Sequence, residues 1–270
     1  MRVFVSRVGK SVVAGTIAMA LVVGVASSAQ AQGKFEPRSG QAGKDVVWVP
    51  TPQETVEMML NMAKVTREDY VIDLGSGDGR TVITAAKRGA RARGIEYNPD
   101  MVALSRENAK TAGVTETAVF EQADLFKTNF TQATVLTLFL LPDINLRLRP
   151  QILDMRPGTR VVSNTFMMGS GDDEWVPDET RRVTEDCVSW CTAHLWIVPA
   201  KVNGKWTLDG QPLVLNQKFQ MVSGTLGSAA ISDGKLNGTS ITFTANGRTY
   251  TGTVSNDGRS ITGDGWKATR

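Results

Sequence analysis

Apolar positions follow two regimes along the chain. From Val46 to about residue 200, short continuous apolar runs alternate with stretches in which apolar residues recur every three or four positions. The runs predict strands at Tyr70 to Leu74, at Ala92 to Tyr97, in "TAVFEQADL", in the fully apolar "ATVLTLFLL" and in "TRVVSNTF". The helical spacings predict helices over Thr81 to Arg88, over Pro99 to Ala112 with Asn98 as N-cap, and after the fourth strand with a break at Pro150. An earlier helix opens at "TPQETVEMML", with Thr51 as N-cap, Pro52 in the first helical position and Glu54 completing a capping box; Met58, Met59 and Met62 follow at core spacing. Apolar strands separated by helices imply a parallel sheet covered on both faces.

Beyond Lys201 the helical period disappears. Residues 201 to 270 hold eleven of the 26 glycines, and short alternating runs such as "SITFTANG" and "RTYTGTVSNDG" end in turn signals every eight to twelve residues. That spacing predicts an antiparallel meander, small sandwich or partial barrel, with Trp206 and Trp266 in its core. The fold class is therefore α/β: a Rossmann-like doubly wound sheet over 46–200, followed by a small antiparallel all-β module over 201–270.

The first residues obey neither regime. Arg2, Arg7 and Lys10 precede an uncharged apolar stretch from Val12 to Ala26, and Ala29-Gln30-Ala31 has the small-x-small form of a cleavage site. The expectation is an export signal over 1–31, a flexible lead-in over 32–45 and a periplasmic protein; the alternative is a membrane anchor left uncleaved, for which 15 apolar residues are short. Those three basic residues account for the whole surplus of charge. No acid precedes Glu36, so removing residues 1–31 leaves 27 Lys plus Arg against 27 Asp plus Glu. A balanced chain offers no basic face, and nucleic acid is not an expected partner. Cys187 and Cys191 fall in "CVSWCTAHLWIV", which reads as strand and would hold them too far apart to pair, so free thiols are expected. A Cys/His pairing with His194 lacks a nucleophile motif, and His194 reads as a packed strand residue.

The chemistry begins at "YVIDLGSGDGR". Asp73 ends a strand, and Gly75, Gly77 and Gly79 lead into a helix. Glycines let the backbone approach a ligand, but the order acid-x-G-x-G-x-G differs from the G-x-G-x-x-G of dinucleotide sites. A carboxylate at the strand tip suits an ammonium group rather than a pyrophosphate. Glu96 ends the second strand, where a carboxylate can take both hydroxyls of a ribose, and Asp124 ends the third, where it can accept from an adenine amine beside the Leu125 amide. An ammonium, a ribose and an adenine together describe S-adenosyl-L-methionine.

On these residues the sequence resembles the class I S-adenosylmethionine-dependent methyltransferases over residues 46 to about 200. "VPTP" at 49–52, "DLGSGDGR" at 73–80, "GIEYNP" at 94–99, "DLF" at 124–126, "LFLLP" at 138–142 and "PGTRVVS" at 157–163 resemble the family of the ATP synthase c-subunit lysine methyltransferase and its bacterial relatives. The resemblance implies that Asp73, Gly75, Ser76 and Gly77 hold the methionyl end of the cofactor, Glu96 the ribose, and Asp124 with Leu125 the adenine. It also implies methyl transfer to a protein lysine amine. A small-molecule methyltransferase and a non-catalytic exported nucleoside-binding protein are the alternatives, and no metal is expected. A lysine amine must lose its proton before attack, by desolvation or to a base. Leu141-Pro142-Asp143-Ile144 stands where many of the wider class have Asn-Pro-Pro-aromatic, so Asp143 and Asn164, at the ends of the fourth and fifth strands, are the catalytic candidates. The acid-rich "GDDEWVPDE" at 171–179 reads as a solvated loop or as an attractor for a basic protein substrate.

Overall fold

The structure, a computed structural model, describes residues 1–7, 9, 35–184 and 187–270. Phe35–Arg270 forms one compact unit. The export-signal reading falls almost wholly outside the described residues, and among those described no helix is long and apolar enough to cross a membrane.

In chain order the elements are β1 (Gln41–Ala42), β2 (Val47–Trp48), α1 (Gln53–Met62), β3 (Tyr70–Leu74), α2 (Arg80–Lys87), β4 (Arg91–Glu96) and α3 (Pro99–Thr111). They continue with β5 (Ala118–Gln122), β6 (Val135–Leu138), α4 (Pro142–Leu153), β7 (Arg160–Asn164), β8 (Glu179–Arg182) and β9 (Thr192–Ile197). Strands β3 to β9 form one sheet in the order β5-β4-β3-β6-β7-β9-β8. The first five are parallel, while β9 runs antiparallel to both β7 and β8. The expected parallel sheet is thus a mixed one. Its antiparallel edge strand β8, of sequence Glu-Thr-Arg-Arg, carries no apolar period and is mostly exposed.

Alternation along the buried strands divides the core in two. Val71, Val135 and Val162 face α1, α2 and α3, together with Met59, Leu60 and Val82. Ile72, Leu136 and Val161 face the other way, against Ile144, Leu148 and Ile152 of α4 and the pair Trp175 and Trp196. Pro150 does not end α4; it sits inside the helix, whose C-cap is Asp154.

Three local expectations change. Thr51 does not cap α1, which starts one residue later with Pro52 as N-cap and no side-chain hydrogen bond. Part of the segment taken as a lead-in is a hairpin: β1 pairs with β2, and the Gly40 amide donates to the Trp48 carbonyl at 2.7 Å. Cys187 and Cys191 are joined in a disulfide with their Cα atoms 5.9 Å apart, because the strand starts only at Thr192 and the chain bends at Ser189 and Trp190, the latter at φ +60°.

Residues 204–269 form eight strands: β10 (Gly204–Leu208), β11 (Gln211–Lys218), β12 (Met221–Leu226), β13 (Ala229–Asn237), β14 (Ser240–Ala245), β15 (Arg248–Val254), β16 (Ser260–Gly263) and β17 (Trp266–Thr269). Each pairs antiparallel with the next and β17 pairs with β10, so the barrel is closed and has no free edge. Its interior is filled by apolar side chains that include Trp206, Phe243, Tyr250 and Trp266. Gly252 and Gly263 are paired across β15 and β16 beneath the Trp266 ring, where a Cβ on either would strike it at 2.7 and 2.0 Å. The turn between β11 and β12 packs on the first sheet: Phe219 stacks on Trp175 with centroids 6.1 Å apart, and the Gln220 side-chain amide donates to the Val176 carbonyl at 2.7 Å.

Candidate active site

The chain leaves β3 for β4 and β5 in one direction and reaches β6 and β7 in the other, so the crevice at the carboxyl ends of β3 and β6 is a topological switch point, where open α/β sheets bind ligands. A cavity of about 220 Å³ lies there. Of the residues singled out for a cofactor, Asp73, Gly75, Ser76, Gly77, Glu96 and Leu125 line it.

Asp73, the penultimate residue of β3, has only 6% of its surface exposed. Its carboxylate accepts from the Thr137 hydroxyl on β6 at 2.6 Å. Burial, together with the charges of Glu96 and Asp78, outweighs that bond and pushes its pKa up to about 7. A buried carboxylate whose charged neighbours are carboxylates is stabilised by a cation brought to it. Behind it the Ser76 hydroxyl is buried without a partner among the described residues, and Gly94 of β4 leaves it room, since a Cβ there would meet that oxygen at 2.5 Å.

Glu96 is held by backbone at both oxygens: the Gly77 amide donates to Oε2 at 3.0 Å and the Asn98 amide to Oε1 at 2.8 Å. Two fixed oxygens with lone pairs to spare suit a vicinal diol. Leu125 lines the same end, but Asp124 does not. Its carboxylate instead takes Lys44 Nζ at 2.8 Å and the Phe126 amide at 3.0 Å, which hold its pKa below the usual carboxylate range. Lys44 thereby ties the β1–β2 hairpin to the end of the site, with its ammonium 4.8 Å from the centroid of the Tyr97 ring.

The three glycines differ in what they permit. All have positive φ, but a Cβ on Gly75 would meet Leu140 at 3.0 Å, one on Gly77 would meet the Trp48 indole at 2.5 Å, and one on Gly79 would meet Phe120 at 2.7 Å. Gly79 does not line the cavity; it lets α2 start close against β5 and α3. Trp48 of β2 covers Gly77 and lines the cavity with Arg80, which forks onto Asp78 and donates to the Thr51 carbonyl at 2.8 Å.

The catalytic candidates are not brought to the cavity. Asp143 is exposed on the first turn of α4. Asn164 is fully buried beneath Thr51, to whose hydroxyl its Nδ2 donates at 3.4 Å, and its Oδ1 accepts from the Thr165 hydroxyl at 2.9 Å. Three of the five acids in the acid-rich segment are paired within the molecule, Asp173 with Arg149, Asp178 with Lys235 and Glu179 with Arg181, around a fully buried Trp175, while Asp172 is exposed. His194 is half-buried between the Thr180 hydroxyl, 2.9 Å from Nδ1, and the Thr165 carbonyl, 3.3 Å from Nε2, and burial lowers its pKa.

Sequence reasoning did not find Trp48, Phe139, Phe166 and Trp190, which line the cavity from four separate segments. The apolar run "LFLLP" that carries Phe139 was visible, but nothing local says that Phe166 and Trp190 return beside it.

Comparison with known proteins agrees with this geometry. The family described as the ANTKMT methyltransferase domain matches residues 73–179. A protein-lysine N-methyltransferase of Saccharolobus islandicus is 38% identical over 156 residues, which is 57% of this chain and 94% of that protein. The mouse ATP synthase c-subunit lysine N-methyltransferase is 37% identical over 134 residues, 49% of this chain; the chain spans only 52% of the mouse protein's length. A crystal structure described as an RNA methyltransferase from Salinibacter ruber, in complex with S-adenosyl-L-homocysteine, is 45% identical with a TM-score of 0.52, covering 57% of this chain and 96% of the other. The uncompensated Asp73, the diol-spaced Glu96 and the Ser76 hydroxyl, unpartnered among the described residues, fit S-adenosyl-L-methionine, whose demethylated form the Salinibacter ruber structure holds. The chain is an S-adenosyl-L-methionine-dependent methyltransferase and belongs to the protein-lysine N-methyltransferase family of the archaeal enzyme.

Proposed function

We propose that the protein transfers a methyl group to the side-chain amine of a protein lysine. The observation that carries this reading is the two-sided cavity. Its acids and glycines lie around the ends of β3 and β4, and its aromatic wall lies beyond β6 and β7, so an acceptor can approach the cofactor from the opposite side. The names of the archaeal and mouse relatives support a lysine acceptor. Asp73, Gly75, Ser76 and Gly77 would hold the methionyl end, Glu96 the ribose, and Leu125 the adenine with Asp124 fixing its loop. Bound there, S-adenosylmethionine supplies an electrophilic methyl on a sulfonium. The chain's part is to hold donor and amine in line and to exclude water, for which the apolar walls of Leu138, Phe139 and Leu140 are suited. Asp143, in its exposed place, is given no part in moving the amine's proton, and Asn164 acts by fixing Thr51 at the cavity edge. The test is mass spectrometry of lysine-bearing peptides, basic proteins, RNA and small amines incubated with enzyme and S-adenosylmethionine. Methyl increments on lysine are expected; methylation of RNA or of small amines alone would replace this reading.

We also propose that the chain is exported, with 1–31 as its signal, 46–200 as the methyltransferase domain and 201–270 as the β-module. The Cys187–Cys191 disulfide supports an oxidising compartment. Protein recovered from cells should begin at Gln32; an intact Met1 on soluble protein would end the export reading.

A further inference from the structure

The aromatic wall is built from three neighbouring elements. Phe139 follows β6, Phe166 follows β7 and Trp190 precedes β9, and these strands are adjacent in the sheet. The rings form a triangle, with centroids 5.9 Å apart for Phe139–Phe166, 5.5 Å for Phe139–Trp190 and 5.9 Å for Phe166–Trp190. None of the three is buried, although each lines the cavity; Trp190 is 37% exposed. A cluster serving stability alone would be closed over by the core.

The backbone spends conformational energy to keep the rings there. Trp190 is left-handed at φ +60°, and Thr165, a β-branched residue immediately before Phe166, is left-handed at φ +61°. Such residues are strained, persist only where their surroundings fix them, and gather at ligand clamps. The surroundings do fix them. The Thr165 amide donates to the Thr192 carbonyl at 2.8 Å, and the Phe166 amide to the Asn164 carbonyl at 2.7 Å. Trp190 lies within the five-residue loop closed by Cys187–Cys191, and its carbonyl accepts from the Thr55 hydroxyl of α1 at 3.1 Å.

We propose that Phe139, Phe166 and Trp190 form the pocket wall that receives the acceptor's alkylammonium side chain, with the disulfide loop holding Trp190 in place as the specificity-determining third ring. The inference rests on the reading of a lysine acceptor. Centroids this close let one ammonium come within about 6 Å of all three rings, the range in which aromatic faces attract a cation. The rings also shelter an aliphatic stem. Shelter from water opposes the rings' hold on the amine's charge and eases the proton loss that must precede attack.

The test uses the mature disulfide-bonded protein saturated with S-adenosylhomocysteine, and measures binding of n-butylammonium and of n-butanol by NMR titration. The wild-type protein is expected to prefer n-butylammonium. Trp190→Ala and the double variant Cys187→Ser/Cys191→Ser should each weaken its binding about tenfold, which is about 1.4 kcal/mol. Trp190→Phe should restore most of the loss, and S-adenosylhomocysteine affinity should not change in any variant. With a lysine peptide as acceptor, Trp190→Ala should raise KM and leave kcat nearly unchanged. Failure of the wild-type protein to bind n-butylammonium, equal binding of n-butanol, or unchanged binding in Trp190→Ala would each overturn the proposal. Binding of n-butylammonium in a protein that methylates no lysine would remove the functional reading and leave the amine pocket standing; lysine methylation with an unchanged KM in Trp190→Ala would do the reverse.

Discussion

Asp73 shows how a binding residue can burden the fold that carries it. Its folded pKa of about 7 lies above the ordinary carboxylate value because it is buried near Glu96 and Asp78. Between the two values the unfolded chain has lost the proton that the folded protein keeps. Stability of the ligand-free protein should therefore fall as pH rises from about 4 to about 7 and level off above, by on the order of 4 kcal/mol in all. Cofactor affinity should run the other way, since the ammonium pairs with the ionised form: below about pH 7 it should weaken by up to tenfold per pH unit. Asp73→Asn separates the two effects. The variant should unfold at higher urea concentration than the wild type at pH 8, yet bind S-adenosylhomocysteine at least about tenfold more weakly, with a flat pH profile. Urea titrations and calorimetry across pH 5 to 8 would check this. A variant that binds normally would mean that Asp73 is not the ammonium's partner.

The elements divide by how much of their reason for existing is local. Strands β3, β6 and β7 were legible because strands covered on both faces carry continuous apolar runs, and α3 because Asn98 and Pro99 mark its start, with Asn98 accepting from the Asp100 amide at 2.9 Å. Edge strand β8 and the β1–β2 hairpin were not legible. The first carries polar side chains into solvent, and the second has two-residue strands. Thr51 had the residue type of a cap, but its carbonyl and hydroxyl serve Arg80 and Asn164 instead. For the candidate site, the acid-glycine stretch disclosed the cofactor half because its residues are contiguous or end successive strands. The aromatic half is assembled from β6, β7 and a disulfide loop, and its signal is only spatial. Even within the glycine stretch, sequence could not tell that Gly79 answers to Phe120 rather than to a ligand.

Among the contacts between the two sheets, one is aromatic and joins the barrel to the core of the first. Phe219, at φ +54° in the turn between β11 and β12, stacks on Trp175 and lies 5.0 Å beneath the Arg149 guanidinium, while Arg149 holds the Met168 and Asp173 carbonyls at 2.9 and 2.6 Å. Trp175 in turn touches Trp196 of β9, so the barrel reaches the main core through a chain of three rings. None of the three rings lines the cavity, whose lining ends in the sequence at Trp190. Replacing Phe219 should therefore cost stability without touching the cofactor. Phe219→Ala leaves one face of Trp175 unpacked; because Phe219 is only half-buried, the expected loss is about 2 kcal/mol, below the usual 3–5 for a fully buried Phe. Chemical denaturation would measure that loss, and calorimetry with S-adenosylhomocysteine should give the wild-type affinity. A fall in affinity would mean that the barrel supports the cavity through Trp175 and Trp196, whereas unchanged stability would mean that the barrel is held through its other contacts, Lys235 with Asp178 and the Ala200 amide with the Gly238 carbonyl at 2.8 Å.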